Sequence, residues 1–113
     1  MTKLPSGIYK ITNLKNGKVY IGQSENIFVR RGQHFAALRS GHHSNNDMQK
    51  DYNAQKGKGF RWDVIEYCDI ADLNAREKYW IEHYDLTYNK GWVPYKRKLT
   101  KKKITGYGRY GRS

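Results

Sequence analysis

The sequence has a single cysteine, Cys68, which excludes an internal disulfide and a cysteine-built zinc site. No apolar stretch approaches the ~20 residues that a membrane-spanning helix requires. The opening MTKLPSGIY has no apolar signal-peptide core. There is no internal repeat. These absences make a soluble intracellular, cytoplasmic protein the simplest expectation. Acid is missing from the C-terminal part: all 10 Asp and Glu lie at or before Asp85.

What is there instead is positive charge. Lysine and arginine number 22, for a net charge of +12. Residues 1–89 carry 13 of them and are nearly balanced, whereas residues 90–113 carry nine and no acid. Such a surplus implies an acidic partner, with nucleic acid first and an anionic membrane surface second. A basic amphipathic anchor is absent, which disfavours the membrane. The length of 113 residues suits one domain, expected at 1–90, with a basic tail at 91–113. The tail ends in low-complexity GYGRYGRS. Only 37% of residues are hydrophobic, so the core has to be compact and aromatic-rich; ten tyrosines and three tryptophans supply it.

Period-two alternation predicts strands at 7–13, 18–23 and 60–67. Asn16-Gly17 is a hairpin turn signal between the first two. A two-residue loop pairs Asn13 with Tyr20; a four-residue loop at 14–17 pairs Ile11 with Tyr20. Either way Tyr9 and Tyr20 share a face, because side chains alternate. A helix is expected from Ser24, capped by Ser24 or Asn26, to Ser40, with Gly41 as its stop. Its inward stripe holds Ile27, Arg30 or Arg31, His34, Phe35 and Leu38. A short helix is expected at 45–55. Asp72 is a candidate cap for a last helix, whose inner face holds Leu73, Glu77, Trp80, Ile81 and Tyr84. Residues 86–113 read as irregular. The order β-β-α-(α)-β-α gives an α+β domain with a small antiparallel sheet.

Some residues do not fit a plain scaffold. Glu77 lies on an apolar stripe, where a carboxylate is costly unless it is paired or binds a metal. The bland alternative is a capping box, Asn74-x-x-Glu77. Arg30 and His34 lie one turn apart; they are either a solvated helix edge or a phosphate-binding arginine with a partner. His42 and His43 follow Gly41, and with His34 they match no zinc spacing. Tyr9 and Tyr20 pack a sheet by default. Asn89 by default serves turn chemistry.

Taken together, these residues resemble the GIY-YIG nuclease superfamily over roughly residues 6–90. Gly7-Ile8-Tyr9 and Tyr20-Ile21-Gly22 stand literally across a hairpin, and Arg30 follows ten residues after Tyr20. His34 and Gly41-His42-His43-Ser44 are similar to the homing-endonuclease branch. Glu77 and Asn89 stand where the family has its glutamate and asparagine. The resemblance implies a three-stranded antiparallel sheet flanked by helices. It also implies Mg²⁺-dependent phosphodiester hydrolysis leaving 5′-phosphate and 3′-hydroxyl ends, with Mn²⁺ as the alternative ion.

On that reading Glu77 is the metal ligand, since Mg²⁺ keeps most of its waters and one carboxylate suffices. Arg30 neutralises charge on the phosphate. Tyr9, or second Tyr20, handles the attacking water. A free phenol titrates near 10 and needs Mg²⁺, Arg30 or a proton-accepting histidine, His34 or His43, beside it. Asn89 orients a neighbour or binds phosphate. Arg31, Lys96, Arg97, Lys98, Lys101, Lys102 and Lys103 are the candidate contacts to double-stranded DNA. No small-molecule cofactor is expected, and a double-strand break would require self-association or sequential nicks. The competing functions are a non-catalytic nucleic-acid-binding domain and a restriction or repair nuclease of the same superfamily.

Overall fold

The computed structural model of the protein describes residues 5–89. Six elements follow in the order β1 (Gly7–Asn13), β2 (Val19–Ser24), α1 (Ile27–Ser40), α2 (Asn46–Ala54), β3 (Phe60–Tyr67) and α3 (Leu73–His83). The three strands form one antiparallel sheet with β1 in the centre. This is the α+β architecture expected from the sequence. Among the described residues no helix is long and apolar enough to cross a membrane.

The first hairpin takes the four-residue loop, pairing Ile11 with Tyr20 and Tyr9 with Gly22. A type I′ loop at 16–17 would need positive φ at both residues. Only Gly17 has it, at 81°, and its N–H closes back onto the Asn13 carbonyl. Tyr9, Ile11, Tyr20 and Gly22 therefore share one face; Ile8, Val19, Ile21 and Gln23 share the other. On the second face Ile8, Val19, Ile21 and Leu73 form a buried cluster, with Ile65, Trp80, Ile81 and Tyr84 against it. On the first, Ile11 packs with Leu38, Met48 and Tyr88, flanked by Phe35, Phe60 and Trp62. The sheet is thus sandwiched, with α3 on one side and α1 and α2 on the other. Full burial of each such aliphatic side chain contributes about 1.5–3 kcal/mol.

Two expectations need correction. Ser24 ends β2 rather than starting a helix; α1 begins at Ile27, and Asn26 caps it by accepting from the N–H groups of Phe28 and Val29. Asp72 stands at the N-cap position of α3 but makes no side-chain capping bond, because a 3₁₀ turn, Ile70–Asp72, delivers the chain already helical. Residues 86–89 form no helix or strand, as expected, yet they are tied to β2. Val19 and Thr87 form a parallel bridge, Val19 donates to the Leu86 carbonyl, and Tyr88 donates back to Val19. This segment covers the outer edge of β2, an edge that would otherwise present unpaired backbone groups. The basic residues assigned to DNA contact from Lys96 to Lys103 lie outside the described residues.

A bulge sets how β3 meets β1. The register shifts between Ile8 and Tyr9, so Ile8 pairs with Glu66 but Tyr9 with Val64. The extra residue lets Ile65 and Glu66 both serve the α3 side. Ile65 packs against the core cluster, while Glu66 takes a two-oxygen grip from Arg76 and a 2.7 Å bond from the Trp80 indole. The Arg76 hydrogen bonds are the chief reason that the Glu66 carboxyl titrates below its ordinary value.

Candidate active site

Two strands, one helix and one loop bring Tyr9, Tyr20, Arg30, His34 and His43 together, and Glu77 joins them from α3 through Gln23. Tyr9 is 1% exposed and stacks on Trp62 with ring centroids 4.4 Å apart. Its hydroxyl lies over Gly22, where an added Cβ would overlap it. Gly22 is therefore a glycine for close approach, not for backbone freedom. Gly7 is one for a different neighbour: a Cβ there would overlap the Glu66 carbonyl. The glycines of both tripeptides thus follow from packing.

Tyr9 Oη is 2.6 Å from His34 Nε2. His34 sits on the buried stripe of α1 with Ile27 and Leu38. The other ring nitrogen of His34, Nδ1, is 2.7 Å from His43 Nε2. Gly41 makes this meeting possible. At φ 83° it ends α1, with its own N–H on Leu38 and that of His42 on Ala37, a Schellman closure. The reversal tucks His43 beneath His34, the two rings stacked at 4.9 Å and 21°. His42 points the other way and is exposed. The half-buried Tyr20 ring stands edge-on to both buried histidines, at 5.2 and 5.6 Å. Among the described residues no group of three or more His, Cys, Asp or Glu could hold a metal.

His43 is held by residues that sequence reasoning missed. Gln49 is buried; its Oε1 accepts the His43 N–H and its Nε2 donates to the Leu38 carbonyl. Asn45 caps α2 through Met48, donates its side-chain amide to the Tyr88 carbonyl, and points its backbone N–H at His43 Nδ1, 2.9 Å away. The signal for Asn45 was available: an asparagine just ahead of a helix is a standard N-cap.

Arg30 and Glu77 approach from opposite faces of the sheet and meet at Gln23. The Arg30 guanidinium reaches the Gln23 carbonyl at 3.5 Å and bonds Gln33 at 3.0 Å. The Gln23 side-chain amide donates to Glu77 Oε1 at 2.9 Å and to Asn74 Oδ1 at 2.7 Å. Asn74 lies inside α3, so the capping-box alternative for Glu77 does not apply. Nor does Glu77 face the deep core; it is half-buried where α3 meets the edge of β2. Gln23 could have been suspected as the polar end of an otherwise apolar alternation, Val19, Ile21, Gln23. Arg31 is exposed on α1.

Asn89 uses both polar atoms of its side chain on the backbone of β2. Its Oδ1 accepts the Ile21 N–H at 2.8 Å and its Nδ2 donates to the Ile21 carbonyl at 2.7 Å. It acts as a strand partner for the residue between Tyr20 and Gly22, which fixes both.

Burial dominates the electrostatics. It raises the Tyr9 phenol well above its ordinary range, helped by Tyr20 and opposed by the charge and hydrogen bonding of Arg30. Tyr20 is raised as well, by burial and then Glu77. Burial, then His43 and Arg30, push His34 down to about 4, and burial lowers His43. Both imidazoles are therefore neutral in the folded protein at neutral pH. On unfolding His34 returns to its ordinary 6.5, so between about 6.5 and about 4 the unfolded chain binds more protons. Stability should fall as pH drops through that window and lose this contribution fully below it. Urea midpoints taken across the window would test this, and a flat profile would contradict neutral buried histidines.

The sequence and the fold have known counterparts. The GIY-YIG catalytic domain family matches residues 5–89. Intron-associated endonuclease 1 of Enterobacteria phage T4 is 32% identical over 88 residues, covering 76% of this chain and 36% of that protein. The chain thus spans about a third of the length of that curated relative. The catalytic domain of homing endonuclease I-TevI superposes with a TM-score of 0.64 at 32% identity, covering 69% of this chain and 86% of that one. A mutant of the same catalytic domain gives 0.63, covering 69% and 81%. With the family match running from one end of the described fold to the other, the chain belongs to the GIY-YIG catalytic domain family.

Proposed function

We propose that this chain is a DNA endonuclease of the mobile-element, homing type, hydrolysing phosphodiester bonds to 5′-phosphate and 3′-hydroxyl ends with Mg²⁺, or Mn²⁺, as cofactor. The observation that carries the reading is the convergence of Tyr9, Tyr20, Arg30, His34 and His43, with Glu77 tied to the same strand through Gln23. A packing role alone does not require two buried histidines hydrogen-bonded to each other and to a phenol. The named relatives, an intron-associated endonuclease and a homing endonuclease, support both the reaction class and DNA as substrate. The +12 net charge suits a double-stranded DNA partner, and the setting is the inside of a cell, such as a phage-infected host.

The residues present fit a hard cation held by one ligand. Glu77 offers carboxylate oxygen at the half-buried rim, and Mg²⁺ accepts such a site because it keeps several waters. Bound there, the ion would supply charge neutralisation at the scissile phosphate. Arg30 holds a phosphate oxygen and stabilises the charge that grows on it. The Tyr9 oxygen orients and activates the attacking water, and Tyr20 lines the same face. Water oxygen bonds to phosphorus and gives up a proton to the ionised Tyr9 oxygen, the bond from phosphorus to the 3′-oxygen breaks, and that oxygen takes up a proton from solvent. Asn89 keeps β2 in register. Arg31 and the basic segment from Lys96 to Lys103 bind the duplex without sequence preference. One chain has one such site, so cutting both strands requires a second copy or two successive nicks.

Supercoiled plasmid is the direct test. Mg²⁺ should convert it to nicked or linear product, and EDTA should stop the conversion. Retarded plasmid with no cut product under Mg²⁺ or Mn²⁺ would leave a non-catalytic binding domain as the better reading.

A further inference from the structure

We infer that the backbone N–H of Asn45 sets the tautomers of His43 and His34, so that His34 donates to the Tyr9 oxygen and does not accept its proton. This deepens the nuclease reading and rests on it for its catalytic meaning. The hydrogen-bond assignment itself stands on geometry.

A neutral imidazole has one N–H donor and one bare acceptor nitrogen. A backbone amide can only donate. The Asn45 amide lies 2.9 Å from His43 Nδ1, so that nitrogen carries no proton. The His43 proton is then on Nε2, 2.7 Å from His34 Nδ1. His34 Nδ1 must accept, which leaves the His34 proton on Nε2, 2.6 Å from Tyr9 Oη. A second proton on His43 would set two hydrogens against each other at Asn45. One on His34 would do the same at His43. Burial, which keeps both rings neutral, agrees with this. The chain of bonds therefore runs one way, from Asn45 through both histidines to Tyr9.

The consequence is chemical. The histidine chain cannot take the phenolic proton in its resting state, because the nitrogen nearest Tyr9 already holds one. The Tyr9 O–H turns away from His34, and on ionisation its proton passes to water rather than to the histidines. The phenolate left behind receives the His34 N–H, and the Arg30 guanidinium acts on the same oxygen. A hydrogen bond donated to the charged form favours that form. His43 and the Asn45 amide are thus positioning groups: they act on Tyr9 only through His34.

Long-range nitrogen–proton NMR correlations on the ¹⁵N-labelled full chain read each ring nitrogen directly. Both histidines should show a protonated Nε2 and a bare, pyridine-type Nδ1 at neutral pH. A protonated Nδ1 on either ring overturns the assignment. Two variants test whether the polarity matters. His43→Gln presents an amide donor to His34 Nδ1 and should keep the His34 tautomer. His43→Glu presents only acceptors and should place a proton on His34 Nδ1. If polarity positions Tyr9, His43→Glu loses more plasmid cleavage than His43→Gln. Equal cleavage by the two overturns the positioning role. A wild-type protein with these tautomers that cuts no DNA would uphold the assignment and refute the nuclease reading, so the two failures are separable.

Discussion

Glu77→Ala is expected to abolish Mg²⁺-dependent cleavage while the protein still folds and still retards DNA. The contrast follows from where Glu77 sits. Its carboxylate is half-buried at the rim, hydrogen-bonded to Gln23 at 2.9 Å, and outside both buried clusters. Removing a partner from one such bond costs on the order of 1 kcal/mol, a small part of a domain's stability. Losing the ligand of a phosphate-neutralising cation forfeits several kcal/mol of transition-state stabilisation, at least about 10³-fold in rate. Non-specific DNA affinity comes mainly from lysine and arginine contacts with phosphate and should survive. The variant should be followed by single-turnover nicking, gel retardation and thermal melting together. Wild-type cutting by Glu77→Ala would remove Glu77 from the metal site. Loss of cutting with a collapsed melting curve would say only that Glu77 holds α3 on the sheet.

Much of this site was legible before any fold was known, and the reason is local. Alternation puts Tyr9 and Tyr20 on one face for any even loop, so the pairing of the phenols did not depend on choosing the register. Helical spacing put Arg30 one turn from His34, and the Gly41 stop predicted a reversal just ahead of His43. What could not be read was what joins separate segments. Gln23 links Arg30 to Glu77 only because α1 and α3 lie on opposite faces of one edge strand. Residues 86–89 look irregular as a string because their order comes from β2, about 70 residues earlier in the chain. Asn89 reads as a loop asparagine, and its bonds to Ile21 exist only in that pairing. The bulge that turns both Ile65 and Glu66 toward α3 shows in the sequence only as a missed beat of alternation. The polarity of the histidine chain hangs on one backbone amide, which no side-chain pattern reports.

Tyr9→Phe should cost far more activity than Tyr20→Phe, although each removes one hydroxyl. Phenylalanine keeps the ring stacked on Trp62, so the sheet face survives. What goes is the oxygen 2.6 Å from His34 Nε2. A buried N–H left unpartnered costs about 1–3 kcal/mol of stability. Losing a positioned acid–base group costs typically about 10²–10⁴-fold in rate. Tyr20 is more exposed and meets the histidines through its ring edge, so its variant keeps those contacts. The dependence of rate on pH separates chemistry from packing. Burial holds the Tyr9 phenol above its ordinary range, so only a small fraction is ionised near neutral pH and that fraction grows with pH. Single-turnover cleavage by the wild type should therefore rise steadily through the accessible alkaline range. The rise should be lost in Tyr9→Phe and kept in Tyr20→Phe. A slope that persists in Tyr9→Phe but disappears in Tyr20→Phe would move the water-handling role to Tyr20. Equal, mild losses in both variants, with the slope intact, would return both tyrosines to packing.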